Sequence, residues 1–133
     1  MGFLKNIFSK LFGIYTKPKG YIRVFTYGTL KRGHGNYDYY LKNDAKFVGT
    51  DAVWGEMYTL GAYPVLFKSG EHEHFVPGEV FDVAPEVFKR IKAMEEGAGY
   101  TTSLTLTKKY RDAYVFFHTN EGYRKADLRI KEF

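Results

Sequence analysis

Glycine and proline divide this chain of 133 residues into short segments, which leaves little room for long helices. Between residues 21 and 118, most of these segments are rich in β-branched and aromatic side chains, a composition that favours strands. The exception begins at Pro85, because proline suits the first position of a helix, and this helical pattern ends at Gly97 and Gly99. The pattern therefore predicts an α+β fold with many short strands and one main helix in a single domain.

Strands are predicted at six places in the body of the chain, namely residues 21–27, 46–60, 64–67, 79–83, 101–107 and 113–118. The segment 46–60 contains glycines and is expected to form one or two strands. The last two strands are expected to pair across a turn at residues 110–112. Residues 37–42 are expected to form a short helix, and the charged tail from Asn120 receives no assignment.

The positive charge of the chain is concentrated near its start. The formal net charge is +5, and residues 1–20 contain four lysines and no acid. Residues 21–133 therefore hold sixteen basic and fifteen acidic side chains, and we expect no nucleic-acid partner, because a surface that follows phosphates needs a larger excess. Cysteine is absent, which excludes a disulfide framework and a cysteine nucleophile and fits a cytoplasmic location.

Residues 3–15 carry apolar side chains at helical spacing, with lysine and polar residues between them. The segment is too short to span a bilayer. It is expected either to lie on a membrane surface or a partner, or to pack against its own domain or a second subunit. We expect residues 1–20 to form an amphipathic extension with a linker, and residues 21–133 to form the functional domain.

Two adjacent glutamates near the end of the main helix have different environments. Helical geometry places Glu95 on the apolar face of that helix and Glu96 on its solvated face. A carboxylate on a buried face is costly, and burial raises its pKa toward the range that a general acid/base needs. The alternative is that Glu95 turns out to water or pairs with Arg90 or Lys108.

Residues 27–33 form a second candidate, since a predicted strand ends there in a loop that contains Gly28 and Gly33. Glycine lets the backbone approach a ligand closely, and successive N–H groups in such a loop can hold an anion. The loop lacks the Gly-Lys-Ser/Thr ending of a nucleotide-binding P-loop.

Histidines offer weaker candidates. Residues 71–74 alternate glutamate with histidine, but no third ligand for a metal is evident, so we expect a solvated loop and no metal site. His34 could line the mouth of a cavity at the glycine loop, although a surface role is more common for such a residue.

Four motifs in order resemble the γ-glutamylcyclotransferase-like family, also called AIG2-like. Residues 24–33, followed by Asn36, resemble its amino-terminal signature and are most similar to the γ-glutamylamine cyclotransferase branch. Residues 61–66 resemble its tyrosine-proline strand, and residues 77–83 its "Gly-Glu-Val-Tyr" strand. Residues 91–95, with Tyr100 after them, resemble its segment with the catalytic glutamate.

The resemblance implies a small mixed β-barrel with flanking helices and a cavity at the glycine loop. It implies that Glu95 is the general acid/base and that backbone N–H groups near Thr29 and Leu30 hold the glutamyl end of the substrate. The implied substrate-binding residues are Tyr27, Gly28, Thr29, Leu30, Tyr63 and Tyr100. The implied reaction converts a small γ-glutamyl amide or amine into 5-oxoproline and a free amine, with no metal or cofactor.

The sequence departs from the family pattern at three positions. Lys92 replaces an aspartate, Glu96 replaces a small residue, and Thr102 replaces the arginine of "Tyr-x-Arg". These departures put activity in doubt more than fold. The alternative function is a catalytically weak or inactive module that binds a small molecule or peptide, held at a membrane surface by its amino-terminal segment.

Overall fold

The computed structural model describes residues 15–69 and 74–133. These residues form the strands β1 to β8, the helices α1 and α2, and 3₁₀ turns at Glu121–Tyr123 and Ala126–Leu128. The strands are β1 Ile22–Thr26, β2 Ala45–Trp54, β3 Glu56–Thr59, β4 Pro64–Phe67, β5 Phe75–Val83, β6 Tyr100–Leu106, β7 Asp112–His118 and β8 Arg129–Ile130. The helices are α1 Gly35–Tyr40 and α2 Pro85–Gly97.

The described strands form two sheets. The larger sheet has the order β2-β5-β1-β7-β6, and the smaller has the order β4-β3-β8. The pair β1 and β7 is parallel, whereas the other pairs are antiparallel. The predicted α+β class is confirmed, but the strands do not close into the single barrel that the family resemblance implied. No helix in the part of the chain that the structure describes is long and apolar enough to cross a bilayer.

Successive side chains of β1 point to opposite faces of the sheet and therefore pack into two different apolar clusters. Val24 packs with Phe81 and Ile91 in one cluster, and Phe25 packs with Val80 and other side chains in a second. Because neighbouring side chains of a strand point to opposite faces, β1 is buried on both sides and holds the centre of the larger sheet. The carboxyl end of β1 is thereby fixed where the glycine loop begins.

The strand pair β6 and β7 forms as predicted. Its register runs from Tyr100 opposite His118 to Leu106 opposite Asp112. Arg111 has a φ of 63° at the predicted turn, and the buried Asp51 carboxylate accepts hydrogen bonds there from two backbone N–H groups, those of Lys109 and Tyr110. The unassigned tail forms the two 3₁₀ turns and adds β8 to the smaller sheet.

Of the predicted amino-terminal stripe, residues 3–14 lie outside the described residues. Tyr15 contacts the larger sheet, because its hydroxyl donates a 2.8 Å hydrogen bond to Asp82, which is fully buried. Asp82 also forms an ion pair with Arg23 at 2.8 Å. This contact joins residue 15 to the sheet, and the division of the chain at residue 20 stays a prediction.

Candidate active site

All seven site residues that the family resemblance implied line one cavity of about 30 Å³. The cavity lies among the end of β1, the turn before β4 and the last turn of α2. Its lining includes Tyr27, Gly28, Thr29, Leu30, Tyr63, Glu95 and Tyr100. We refer to it as the inner cavity.

The glycine loop presents backbone N–H groups that have no partner in the described protein. The carbonyl groups of Gly28 and Thr29 accept hydrogen bonds from the N–H groups of Lys31 and Tyr37, at 2.9 and 3.0 Å. Within residues 15–69 and 74–133, no group accepts a hydrogen bond from the N–H of Gly28, Thr29 or Leu30. Such a run of free N–H groups can hold a carboxylate or a developing oxyanion.

Asn36 stabilises this loop from the first turn of α1. Its Nδ2 donates a 2.8 Å hydrogen bond to the hydroxyl of Thr29. The contact joins the Thr29 hydroxyl to the start of α1. It also ties the conformation of residues 28–30 to the position of the short helix.

Two buried tyrosines connect the walls of the inner cavity. The Tyr27 hydroxyl donates to the Phe116 carbonyl on β7, and the Tyr100 hydroxyl donates to the Pro64 carbonyl at 2.6 Å. Burial, together with the nearby charge of Glu95, raises the pKa of both phenols. Both hydroxyls therefore stay protonated at neutral pH and act as hydrogen-bond donors that hold the walls.

Glu95 occupies the last turn of α2, and its environment differs from that of an ordinary surface carboxylate. Burial raises its pKa from 4.5 to about 7. No described residue forms a hydrogen bond or ion pair with its carboxylate. The alternative pairing is wrong, because Arg90 pairs with Asp44 at 3.9 Å and the Lys108 ammonium lies over the Phe75 ring. Glu95 is therefore poised to exchange a proton near pH 7.

Glu96 faces the solvent, as its helical position predicted. Its carboxylate accepts hydrogen bonds from Lys92 at 2.9 Å and Thr102 at 3.0 Å, and these bonds lower its pKa. The three departures from the family pattern therefore form one exposed cluster, in which Lys92 and Thr102 both contact Glu96. None of the three lines the inner cavity, so they no longer favour a loss of activity.

A second hollow, which we call the outer groove, adjoins the inner cavity and has a volume of about 310 Å³. The two hollows share four lining residues, namely Thr29, Tyr63, Glu95 and Tyr100. The outer groove adds Asn36, Ala62, Met94 and Ala98. Glu95 therefore lines both hollows.

The sequence analysis missed several lining residues. Phe116 enters the inner cavity because β7 runs parallel to β1, with Tyr114 opposite Val24, and no local pattern indicates this pairing. Pro64 follows Tyr63 directly in a motif already identified, so that motif could have led to it. Asn36 belongs to the signature but was not selected as a site residue.

The weaker candidates lie elsewhere. His34 is not among the lining residues of either hollow, and its ring faces Phe133 with 5.5 Å between centroids. Residues 71–73 lie outside the described residues. Within the described ranges, no group of three histidine, aspartate or glutamate side chains is placed to hold a metal ion.

Comparison with known proteins agrees with the motifs. Residues 24–132 match the family model described as gamma-glutamyl cyclotransferase, AIG2-like. A Pyrococcus horikoshii protein provisionally named a gamma-glutamylcyclotransferase is 37% identical over 110 residues, which cover 83% of this chain and 87% of that protein. The gamma-L-glutamyl-butirosin B gamma-glutamyl cyclotransferase of Niallia circulans is 35% identical over 97 residues, covering 68% of this chain and 60% of that enzyme.

Comparison of the fold with solved structures agrees with the sequence comparisons. The crystal structure of the same Pyrococcus horikoshii protein superposes with a TM-score of 0.69 at 32% sequence identity, and the match covers 83% of this chain and 86% of that one. The family model spans most of the chain, including the glycine loop and Glu95. This chain belongs to the AIG2-like γ-glutamylcyclotransferase family.

Proposed function

We propose that this protein is a cyclotransferase that cleaves a γ-glutamyl amide by internal attack of the α-amine, giving 5-oxoproline and a free amine. One observation carries the proposal: Glu95, with a pKa of about 7, shares a cavity with the free N–H groups of residues 28–30. The Niallia circulans relative, named for a γ-glutamyl substrate, supports the substrate class.

The reaction needs little from the protein beyond positioning and proton transfer. Glu95 removes one proton from the α-ammonium, and the amine attacks the γ-carbonyl carbon of the same molecule. The tetrahedral intermediate then collapses, the bond to the leaving nitrogen breaks, and Glu95 returns its proton to that nitrogen. The second proton lost by the attacking nitrogen departs with the amine, which leaves as an ammonium ion.

Holding the substrate in a bent conformation accounts for much of the expected rate enhancement. Nucleophile and electrophile belong to one molecule, so a cavity that holds the chain bent provides a high effective concentration. The N–H groups of Gly28, Thr29 and Leu30 would hold the glutamyl end, with Tyr27, Tyr63 and Tyr100 as the surrounding walls. Because the inner cavity is only about 30 Å³, the Tyr63 ring would have to turn outward to admit the group, and Tyr63 is 43% exposed.

The proposed activity resides in residues 21–133, and residues 1–20 form an extension to it. The match of the family model to residues 24–132 supports this division. The site residues of the proposal all fall within the same range.

The function is tested by release of 5-oxoproline. The purified protein is incubated with γ-glutamyl amides, and 5-oxoproline and the free amine are quantified by mass spectrometry. We expect the two products in equal amounts. Glutamate in place of 5-oxoproline would contradict the proposal, because it would mean that water and not the α-amine attacks.

The pH dependence of the reaction follows from the pKa of Glu95. The base must be ionised to accept a proton, so kcat/KM is expected to rise with pH and level off above the pKa of about 7. At one pH unit below that value the rate constant should be reduced about tenfold, because about one carboxylate in eleven is then ionised. A flat profile between pH 5 and pH 8 would show that Glu95 is not the base.

A further inference from the structure

We infer that Glu79 is a positioning residue, which holds the end of the glycine loop at Arg32 by accepting a hydrogen bond from its backbone. The inference rests on the proposed function, because it names a further residue of the same site. Glu79 belongs to the motif at residues 77–83, which the proposed chemistry does not otherwise use, and it lines neither hollow. It therefore acts on the substrate only through the loop.

Strand pairing places Glu79 beside the start of the glycine loop. In the register of β1 with β5, Glu79 lies opposite Thr26, the last residue of β1. The Thr26 hydroxyl also donates a 3.3 Å hydrogen bond to the Glu79 carbonyl. One residue earlier, a Cβ atom at Gly78 would collide with the Thr26 carbonyl oxygen, so the two strands approach each other closely here. This packing leaves β5 little freedom to move relative to the loop.

The Glu79 carboxylate makes all its hydrogen bonds and its ion pair, among the residues that the structure describes, with Arg32. Its Oε1 accepts a 2.7 Å hydrogen bond from the backbone N–H of Arg32. Its Oε2 accepts a 3.2 Å hydrogen bond from Nε and lies 3.1 Å from Nη2 of the same guanidinium. The Glu79 side chain is only 14% exposed, so these charge-assisted bonds hold residue 32 firmly to the strand.

The Arg32 side chain is held from a second direction by β2. Its guanidinium carbon lies 3.5 Å from the centroid of the Phe47 ring, which is a cation–π contact. Phe47 in turn packs against the first apolar cluster. Because β2 and β5 are neighbours in the larger sheet, the carboxylate and the ring fix the position of Arg32 from both strands.

Other contacts hold the opposite end of the glycine loop. Asn36 donates a hydrogen bond to the hydroxyl of Thr29, and the N–H of Tyr37 donates one to its carbonyl. The bond from residue 32 to Glu79 completes this attachment at the second end, and the N–H groups of residues 28–30 stay free. Without the Glu79 bond one end of the loop is released, and these N–H groups lose their fixed direction.

Glu79→Leu tests the inference, because leucine is similar in size but accepts no hydrogen bond. We expect kcat/KM for γ-glutamyl amides to fall about tenfold or more, mainly through a higher KM, since the loop holds the glutamyl end both in the bound substrate and in the transition state. The dissociation constant of 5-oxoproline should rise by a similar factor. The pH at which kcat/KM levels off should stay at the native value, because Glu95 is unchanged. A lower kcat with native KM and native 5-oxoproline binding would overturn the inference.

Two further variants separate the backbone hydrogen bond from other effects of the substitution. Glu79→Gln keeps an oxygen that can accept from the backbone of Arg32, so kcat/KM should stay within about threefold of native. Glu79→Thr suits a strand but is too short to reach that N–H, so it should match Glu79→Leu and replaces it if the leucine variant does not fold. Equal losses in the glutamine and threonine variants would contradict a role for the backbone bond.

Glu56→Leu is the matched control, since it removes another partly buried glutamate that pairs with arginine. Glu56 lies on β3, pairs with Arg124 and Arg129, and lines neither hollow. We expect this variant to lose stability in urea unfolding while kcat/KM and 5-oxoproline binding stay native. A loss of kcat/KM as large as that of Glu79→Leu would overturn the inference, because loss of any such ion pair would then be sufficient.

Backbone dynamics separate failure of this inference from failure of the proposed function. If the native protein releases no 5-oxoproline, the proposed function fails, and ¹⁵N relaxation then decides the inference. We expect order parameters of residues 28–32 near 0.85 in the native protein and in Glu56→Leu, and below about 0.6 in Glu79→Leu. Unchanged order parameters in Glu79→Leu would overturn the inference. Native turnover in Glu79→Leu would also overturn it and leave the proposed function intact.

Discussion

Replacing Glu95 with glutamine is expected to reduce the rate of 5-oxoproline release by a factor of about 10² to 10⁴, the range that a positioned general acid/base contributes. Glutamine keeps the size and polarity of the side chain but cannot take a proton from the α-ammonium. No other described carboxylate lines the inner cavity. The measurement is steady-state turnover at pH 8, where the native carboxylate is largely ionised.

Glu96→Gln is the matched control for this experiment, since it makes the same chemical change one residue along the helix. Its side chain is exposed to solvent, and its carboxylate contacts Lys92 and Thr102 outside both hollows. We expect turnover within about twofold of the native rate, as is common for surface substitutions. Equal losses in the two variants would show that the wrong carboxylate has been assigned, and full turnover in a folded Glu95→Gln protein would remove Glu95 from the mechanism.

Unfolding measurements separate a chemical effect of Glu95→Gln from a structural one. The pKa of Glu95 is raised on folding, so between pH 4.5 and pH 7 the unfolded chain loses a proton that the folded chain retains, and the native protein loses stability as the pH rises. The cost reaches up to about 3 kcal/mol above pH 7. Glutamine removes this cost, so the variant should be more stable than the native protein at pH 8 and gain little at pH 4.

Gly28→Ala is expected to reduce kcat/KM by about tenfold to a hundredfold, since a shift of about 1 Å near a reacting centre can have an effect of this size. A Cβ atom at residue 28 would lie 2.6 Å from Cγ and 2.8 Å from Cδ of Pro64. The proline ring is stiff, and Pro64 is also held by strand pairing with Thr59 and by the Tyr100 hydroxyl. The glycine loop must therefore move away and carry its N–H groups with it.

The same substitution should lower the free energy of unfolding by about 1–3 kcal/mol, as is typical of overpacking. Gly35→Ala is its control, because a Cβ at residue 35 has nothing within 4 Å and its backbone is not in the left-handed region. We expect native turnover and a stability change within about 0.5 kcal/mol for Gly35→Ala. Urea unfolding and steady-state kinetics measure both quantities, and native kinetics in Gly28→Ala would show that the loop does not position the substrate.

Local patterns predicted most of the secondary structure of this chain. The helix from Pro85, the strand at Pro64–Phe67 and the pairing of β6 with β7 follow from short-range propensity, turn residues and side-chain alternation. The same geometry separated Glu95 from Glu96 without any knowledge of the fold. These features depend on neighbours within a few residues, which a sequence displays directly.

The arrangement of the strands into sheets could not be predicted from local sequence patterns. The parallel pairing of β1 with β7 joins segments about ninety residues apart, and it places Phe116 in the wall of the inner cavity. The division into two sheets in place of a barrel likewise depends on which strand edges meet. Long-range pairing is decided by the packing of the whole core, so a local pattern carries little information about it.

The sequence by itself determined that Glu95 lies on the apolar side of a helix end and that a glycine loop follows the first strand. Only the tertiary structure decided that the two meet in one cavity, that Lys92 and Thr102 both contact Glu96 outside it, and that the adjoining groove has no charged side chain other than Glu95. The face of a helix on which a residue lies depends only on the spacing of residues that are near in the sequence. The desolvation that raises the pKa of Glu95 arises from atoms brought together from distant parts of the chain.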